Sequence, residues 1–216
     1  MRAIIVRHSK TEGNANNRII GWGESPPVTG WQRDMKHVDK MLHAADIHFE
    51  TVYTSSLQRA RNTGLFYAQS RALEEIHESA ALNEVNYGKL AKKSKKWVAK
   101  HISGHKKDPD FVYPDGESFR QMQQRSVLFI ESIAESNKDK TVLIVVHAGI
   151  IRGLICHFMG FDYARNLKRR ITHRYIGDFT FQGPVCIRYN ELGTRSGFVK
   201  DGIIKVAYYR TRLQSV

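Results

Sequence analysis

Apolar positions along this chain switch between two spacings. Ala3-Ile4-Ile5-Val6 is a short uninterrupted apolar run, and Thr141-Val142-Leu143-Ile144-Val145-Val146 is a longer one. Runs rich in β-branched residues and without alternation are what a strand covered on both faces requires. Thr51-Val52-Tyr53-Thr54 reads as a second short strand. Between these runs the spacing becomes helical. Residues 29–43 open on Thr29-Gly30 and carry Val38, Met41 and Leu42. Leu57 to Ser70 follows as a helix, and Glu117 to Ser136 carries Phe119, Met122, Ile130 and Ile133 on one face. Residues 89–103 predict a basic helix, followed by a loop between Pro109 and Pro114. Ile150 to Met159 predicts an apolar helix. Thr172 to Phe181, Val185 to Tyr189 and Ile203 to Tyr209 predict strands, with a turn at Gly183-Pro184.

Strands alternating with helices predict an α/β fold, with a mostly parallel central sheet flanked by helices on both faces. The late strands add a hairpin at an edge. No repeat, low-complexity tract or linker divides the 216 residues, so one domain over 1–216 is expected.

The formal net charge of +13 changes the picture by favouring anionic ligands. A phosphorylated anionic substrate, nucleic acid and an anionic membrane surface are the candidate partners. The cluster Lys92-Lys93-Ser94-Lys95-Lys96 reads as a solvated face. A nucleic-acid site would interleave aromatic and basic residues, and only Trp97 lies near this cluster, so nucleic acid is not an expected partner. The first apolar run ends at Arg7-His8, too short for a signal-peptide core, and no stretch approaches the ~20 apolar residues that span a bilayer. A soluble, cytoplasmic protein without a membrane partner is expected. Cys156 and Cys186 read as small buried hydrophobes, in keeping with a reducing compartment.

In open α/β sheets ligands bind outside the carboxyl ends of the strands. The first strand here ends in Arg7-His8, the second runs into Ser55-Ser56-Leu57-Gln58-Arg59, and the third ends in His147-Ala148-Gly149. A neutral imidazole is a competent nucleophile toward phosphorus. Arginine forks match the oxygens of a transferring phosphoryl group and stay charged. A second histidine can donate to the same oxygens, and a carboxyl that burial keeps protonated can supply the leaving group's proton. No His/Asp/Glu cluster has metal-ligand spacing and no Walker-type loop is present, so neither metal nor cofactor is expected.

These residues resemble the histidine phosphatase superfamily, the phosphoglycerate-mutase-like group. Arg7-His8-Ser9-Lys10-Thr11 is similar to its Arg-His-Gly-Glu-Thr signature, and Ser56-Leu57-Gln58-Arg59-Ala60-Arg61-Asn62-Thr63 to its Ser-x-Leu-x-Arg-Ala-x-x-Thr block. Leu82-Asn83-Glu84-Val85-Asn86-Tyr87-Gly88 resembles the block that supplies the general acid. Pro114-Asp115-Gly116-Glu117-Ser118, with Arg125 beyond, resembles the Gly-Glu-Ser segment. Val146-His147-Ala148-Gly149-Ile150-Ile151-Arg152 resembles the block carrying the second histidine. The resemblance spans residues 4 to 152.

It implies a phosphoglycerate-mutase-like fold with a small helical cap insertion at about residues 85–115. It implies His8 as nucleophile, Glu84 as acid and base, and Arg7, Asn14, Arg59, His147 and Ala148 around the phosphate. Trp22, Gly21 and Tyr87 are candidates for lining the pocket. Ser9 and Lys10 depart from the family's Gly and Glu. Ser9 fits if the backbone there keeps φ negative, and Lys10 reverses a charge beside the nucleophile. The segment from Lys89 to Tyr113 is shorter than the insertion of the mutases. A metal-independent phosphomonoester hydrolase, a histidine acid-type phosphatase working through a phosphohistidine, is therefore the expected activity. Its substrate is expected to be a small phosphorylated metabolite. Mutase-type phosphoryl transfer and a catalytically weak phosphate-binding protein are the alternatives.

Overall fold

A computed structural model describes residues 1–102, 108–167, 169–192 and 200–202. The two clearest apolar runs form the centre of its sheet. β1 (Arg2–Arg7) and β4 (Thr141–Val146) pair in parallel with Arg2 opposite Thr141 and Arg7 opposite Val146. Neither run alternates because both faces are covered. Ala3, Ile5, Val142 and Ile144 enter one apolar core, while Ile4, Val6, Leu143 and Val145 enter the other.

β2 (Thr51–Ser55) lies on the far side of β4, and the short β3 (His77–Ser79) lies beside β2, both parallel. On the other side of β1 the direction reverses. β5 (Ile176–Gln182) runs antiparallel to β1, β6 (Val185–Leu192) to β5, and β7 (Lys200–Gly202) to β6. Among the described residues the sheet thus has seven strands in the order β3-β2-β4-β1-β5-β6-β7. The expected late hairpin is present, turning at Gly183 with φ +56°. The strand expected over Ile203 to Tyr209 lies outside the described residues.

Helices cover both faces, as their stripes require. α2 (Gln32–Ala44) buries Met35, Val38 and Leu42, and α3 (Gln58–Gln69) packs Ala60, Tyr67 and Ala68 into the same core. α5 (Phe119–Ser136) and α6 (Ala148–Met159) cover the opposite face with Met122, Ile130, Ile151 and Ile155. α5 starts at Ser118, whose hydroxyl and the Gln121 side chain close a capping box. Two further short helices are α1 (Glu12–Ala15) before α2 and α7 (Tyr163–Leu167) after α6.

The basic segment departs from the expected single helix over 89–103. It opens as a 3-10 turn over Gly88–Leu90 and breaks at Lys92, whose φ is +67°. It resumes only as α4 (Lys95–His101), where the Ser94 hydroxyl accepts from Trp97 N–H. Cys156 and Cys186 are free and half-buried rather than fully enclosed. Among the described residues no helix is long and apolar enough to cross a membrane.

Candidate active site

The register of the sheet assembles the site. Because Arg7 pairs with Val146, the next residues, His8 and His147, leave their strands side by side. His8 N–H donates to Val146 O at 2.9 Å, and the two imidazole centroids lie 4.9 Å apart. Both rings are buried. His8 Nδ1 sits 2.6 Å from Ser9 O. A carbonyl only accepts, so the ring proton is on Nδ1 and the lone pair is on Nε2. Ser9 is buried, is absent from the positive-φ residues, and donates its N–H to Thr63 Oγ1 at 2.9 Å. The serine therefore meets the condition for replacing glycine.

A polar hub fixes the second histidine. Asn83 Oδ1 accepts from Ser56 N–H at 3.0 Å and from the Ser55 hydroxyl at 2.8 Å. Ser55 has thus spent its only proton, and His147 Nε2, 2.8 Å from Ser55 Oγ, must donate to it. His147 Nδ1 is left without a proton, buried, and with no partner.

Two arginines complete this end. Arg7 donates to Ile171 O at 2.6 Å, while Arg59 donates to Gly21 O at 2.6 Å and Gly23 O at 2.9 Å. The Nε of each is buried without a partner. Burial lowers the Arg7 pKa to about 10, partly offset by the nearby Glu84 carboxylate. Desolvation, with the charges of Arg59 and Arg7, also holds His8 and His147 well below the ordinary histidine range. Both rings are therefore neutral.

Glu84 approaches from the other side. Its Oε1 accepts Val85 N–H at 3.0 Å and its Oε2 accepts Gly149 N–H at 3.1 Å. A Cβ on Gly149 would lie 2.0 Å from Glu84 Oε1, so the carboxylate occupies space that only glycine leaves. Tyr87 packs against Tyr113 with the rings tilted by 56° and centroids 4.7 Å apart, and burial and Glu84 push its phenol far above its usual pKa. Trp22 Nε1 donates to Glu84 O at 2.6 Å. Ala148, almost fully buried, opens α6 directly after His147.

Asn14 and Lys10 lie in the segment that follows His8. The side-chain oxygen of Asn14 is occupied by the Thr11 N–H and hydroxyl, in the capping box of α1. The Lys10 side chain is exposed, and its charge acts on His173.

His173 is a member of the cluster that the sequence did not reveal. Its Nδ1 donates to His8 O at 2.7 Å, and its ring meets the His8 ring edge-on at 5.5 Å. Burial and Arg7 push its pKa down to about 3. The antiparallel direction of β5 explains its position. Ile176 pairs with Val6, so residues just before β5 arrive at the carboxyl end of β1. The sequence carried no signal for it, because Thr172 to Phe181 reads as one continuous strand. Among the described residues no group of three or more His, Cys, Asp or Glu could hold a metal ion.

The histidine phosphatase superfamily (branch 1) matches residues 3–191, and the chain belongs to that family of phosphatases and mutases. A 2,3-bisphosphoglycerate-dependent phosphoglycerate mutase of Cytophaga hutchinsonii is 32% identical over 162 residues, 71% of this chain and 75% of its own. Among solved structures, Bacillus stearothermophilus YhfR superposes with a TM-score of 0.76 at 23% identity, over 86% of this chain and 93% of its own. The alpha-ribazole phosphatase from Shigella flexneri superposes with a TM-score of 0.73 at 22% identity, over 86% and 93%. These likenesses bear out the expected phosphoglycerate-mutase-like α/β fold.

Proposed function

We propose that this chain hydrolyses phosphomonoesters through a phosphohistidine on His8. One observation carries the reading. Arg7 Nε, Arg59 Nε and His147 Nδ1 are buried without partners around a neutral imidazole whose Nε2 keeps its lone pair. Buried polar atoms are normally satisfied, and a tetrahedral oxyanion would satisfy the two arginine donors, and His147 Nδ1 as well once that nitrogen is protonated.

His8 Nε2 attacks phosphorus in line, and the bond to the leaving oxygen breaks as Glu84 protonates it. Water then attacks the phosphohistidine while Glu84 takes its proton, and inorganic phosphate leaves. His147 Nδ1, which carries no proton, must gain one before it can donate to a phosphate oxygen. The arginines, already charged, need none. A small phosphorylated metabolite is the proposed substrate. The segment over about 85–115 acts as a small cap, short enough to leave the phosphohistidine open to water.

The similarity to phosphoglycerate mutases favours a second reading, in which the phosphoryl group returns to a bound phosphoglycerate. The test is turnover of p-nitrophenyl phosphate in EDTA, beside His8→Ala and an assay of phosphoglycerate interconversion. Metal-independent phosphate release that is lost in His8→Ala is the expected result. Interconversion faster than phosphate release would give the mutase reading. Tight phosphate binding with turnover by neither route would leave a phosphate-binding protein.

A further inference from the structure

One loop touches both ends of the site. Arg59 uses two nitrogens to hold two glycine carbonyls of one loop, Gly21 O and Gly23 O. The residue between them, Trp22, donates its indole N–H to Glu84 O. Arg125 donates to the same carbonyl at 3.0 Å, and its guanidinium lies 5.8 Å from the Trp22 ring centroid. Arg125 is itself fixed by Glu117, 2.6 Å away, and Glu117 accepts from Asn86 N–H at 2.8 Å. The main chain at Glu84 is therefore held from the helix side by Arg125 and from the loop side by Trp22. Gly21 has φ +57°, and a Cβ there would come within 3.0 Å of Val85 O, so the loop's close approach depends on glycine. The indole is 42% exposed, so its binding to a backbone carbonyl is not a by-product of core packing.

We propose that Gly21-Trp22-Gly23 is a strap tying Glu84 to Arg59, with Trp22 a positioning residue for proton transfer to the leaving oxygen. An anion that engages Arg59 then shifts or steadies the strap, and the strap aligns the carboxyl group. The inference rests on the reading of Glu84 as acid and base. It assigns Trp22 no contact with substrate.

Trp22→Phe tests it, because the variant keeps an exposed aromatic ring while removing the N–H together with the pyrrole ring that carries it. The measured quantity is kcat/KM, which reports the first phosphoryl transfer, for an aryl ester (p-nitrophenyl phosphate) and an alkyl ester (glycerol 2-phosphate). A nitrophenolate leaves with little help from an acid, whereas an alkoxide depends on it. The expected loss is about 10-fold for the alkyl ester and under about threefold for the aryl ester, the same pattern as Glu84→Gln at smaller amplitude. In a Glu84→Gln background, Trp22→Phe should cost nothing further on the alkyl ester. Amide exchange over residues 83–86 should also quicken in Trp22→Phe. Equal losses on both esters, or unchanged exchange over 83–86, would overturn the strap. Wild-type protein lacking His8-dependent turnover would overturn the phosphatase reading instead, and the exchange measurement would still decide the strap.

Discussion

The two ends of the site are built by different means. At the phosphate end, His8, Arg7 and His147 issue from paired strands, and Arg59 stands in the first turn of a helix packed on the sheet. Their positions follow from register, and the rings are buried and neutral. At the leaving-group end, Glu84 sits between two 3-10 turns. It is held by a loop tryptophan, by an arginine from α5, and by a gap at Gly149. Moving a strand-end residue requires moving the sheet, whereas moving Glu84 requires only a change of side-chain and loop contacts. On the proposed mechanism the framework fixes the phosphoryl chemistry, and the more adaptable part of the molecule would face the variable half of the substrate.

Arg59 belongs to both ends, so Arg59→Lys is the sharpest way to break the distinction. A lysine cannot hold two carbonyls and still present a nitrogen to phosphate. Loss of about 10²–10³-fold in kcat/KM is expected on aryl and alkyl esters alike. A loss confined to alkyl esters would place Arg59 wholly with the leaving-group end.

Acid stability probes the phosphate end alone. His8, His147 and His173 are held below the ordinary histidine range in the folded state, whereas an unfolded chain protonates each near pH 6.5. Protons therefore favour the unfolded chain below that pH, and stability falls as pH drops from about 6.5 toward the folded-state values. The slope of unfolding free energy between pH 6 and 4 should correspond to about three protons from these rings, and His173→Asn should remove about one. An unchanged slope in that variant would mean His173 is already charged when folded.

The bare Nδ1 of His147 gives a smaller effect. Binding of orthovanadate near neutral pH should take up about one proton, read from calorimetry in buffers of different ionisation enthalpy. No uptake would mean Nδ1 already carries the proton. The smallest effect is expected at the rim. Lys10→Glu should raise KM a few-fold at low salt and fade as salt screens the exposed side chain, with kcat unchanged.

Legibility in the sequence followed the same division. β1 and β4 were readable because burial on both faces leaves an uninterrupted apolar run, and the candidate residues at their ends came with them. β3 was not, since His77 and Glu78 are exposed and a three-residue edge strand carries no hydrophobic period. His173 was hidden because Thr172 to Phe181 reads as one strand, while β5 begins only at Ile176. The break at Lys92 was masked by residues that all suit a helix, because the interruption comes from contacts to Ile19 and the 3-10 turn. Asn83, Ser55 and Trp22 are ordinary polar or aromatic residues in sequence. Their hydrogen-bond geometry exists only once separate segments have been brought together.

The space at Gly149 makes this protein convertible by one carbon atom. Gly149→Ala would leave the nitrogens of Arg7, Arg59 and His147 where they are and force the Glu84 carboxylate away from Gly149 N–H. Such a variant should still accept a phosphoryl group from an activated aryl ester but release it slowly, because water would lack its base. It would accumulate as the phosphorylated protein, a capture reagent from which the labelled histidine could be isolated directly.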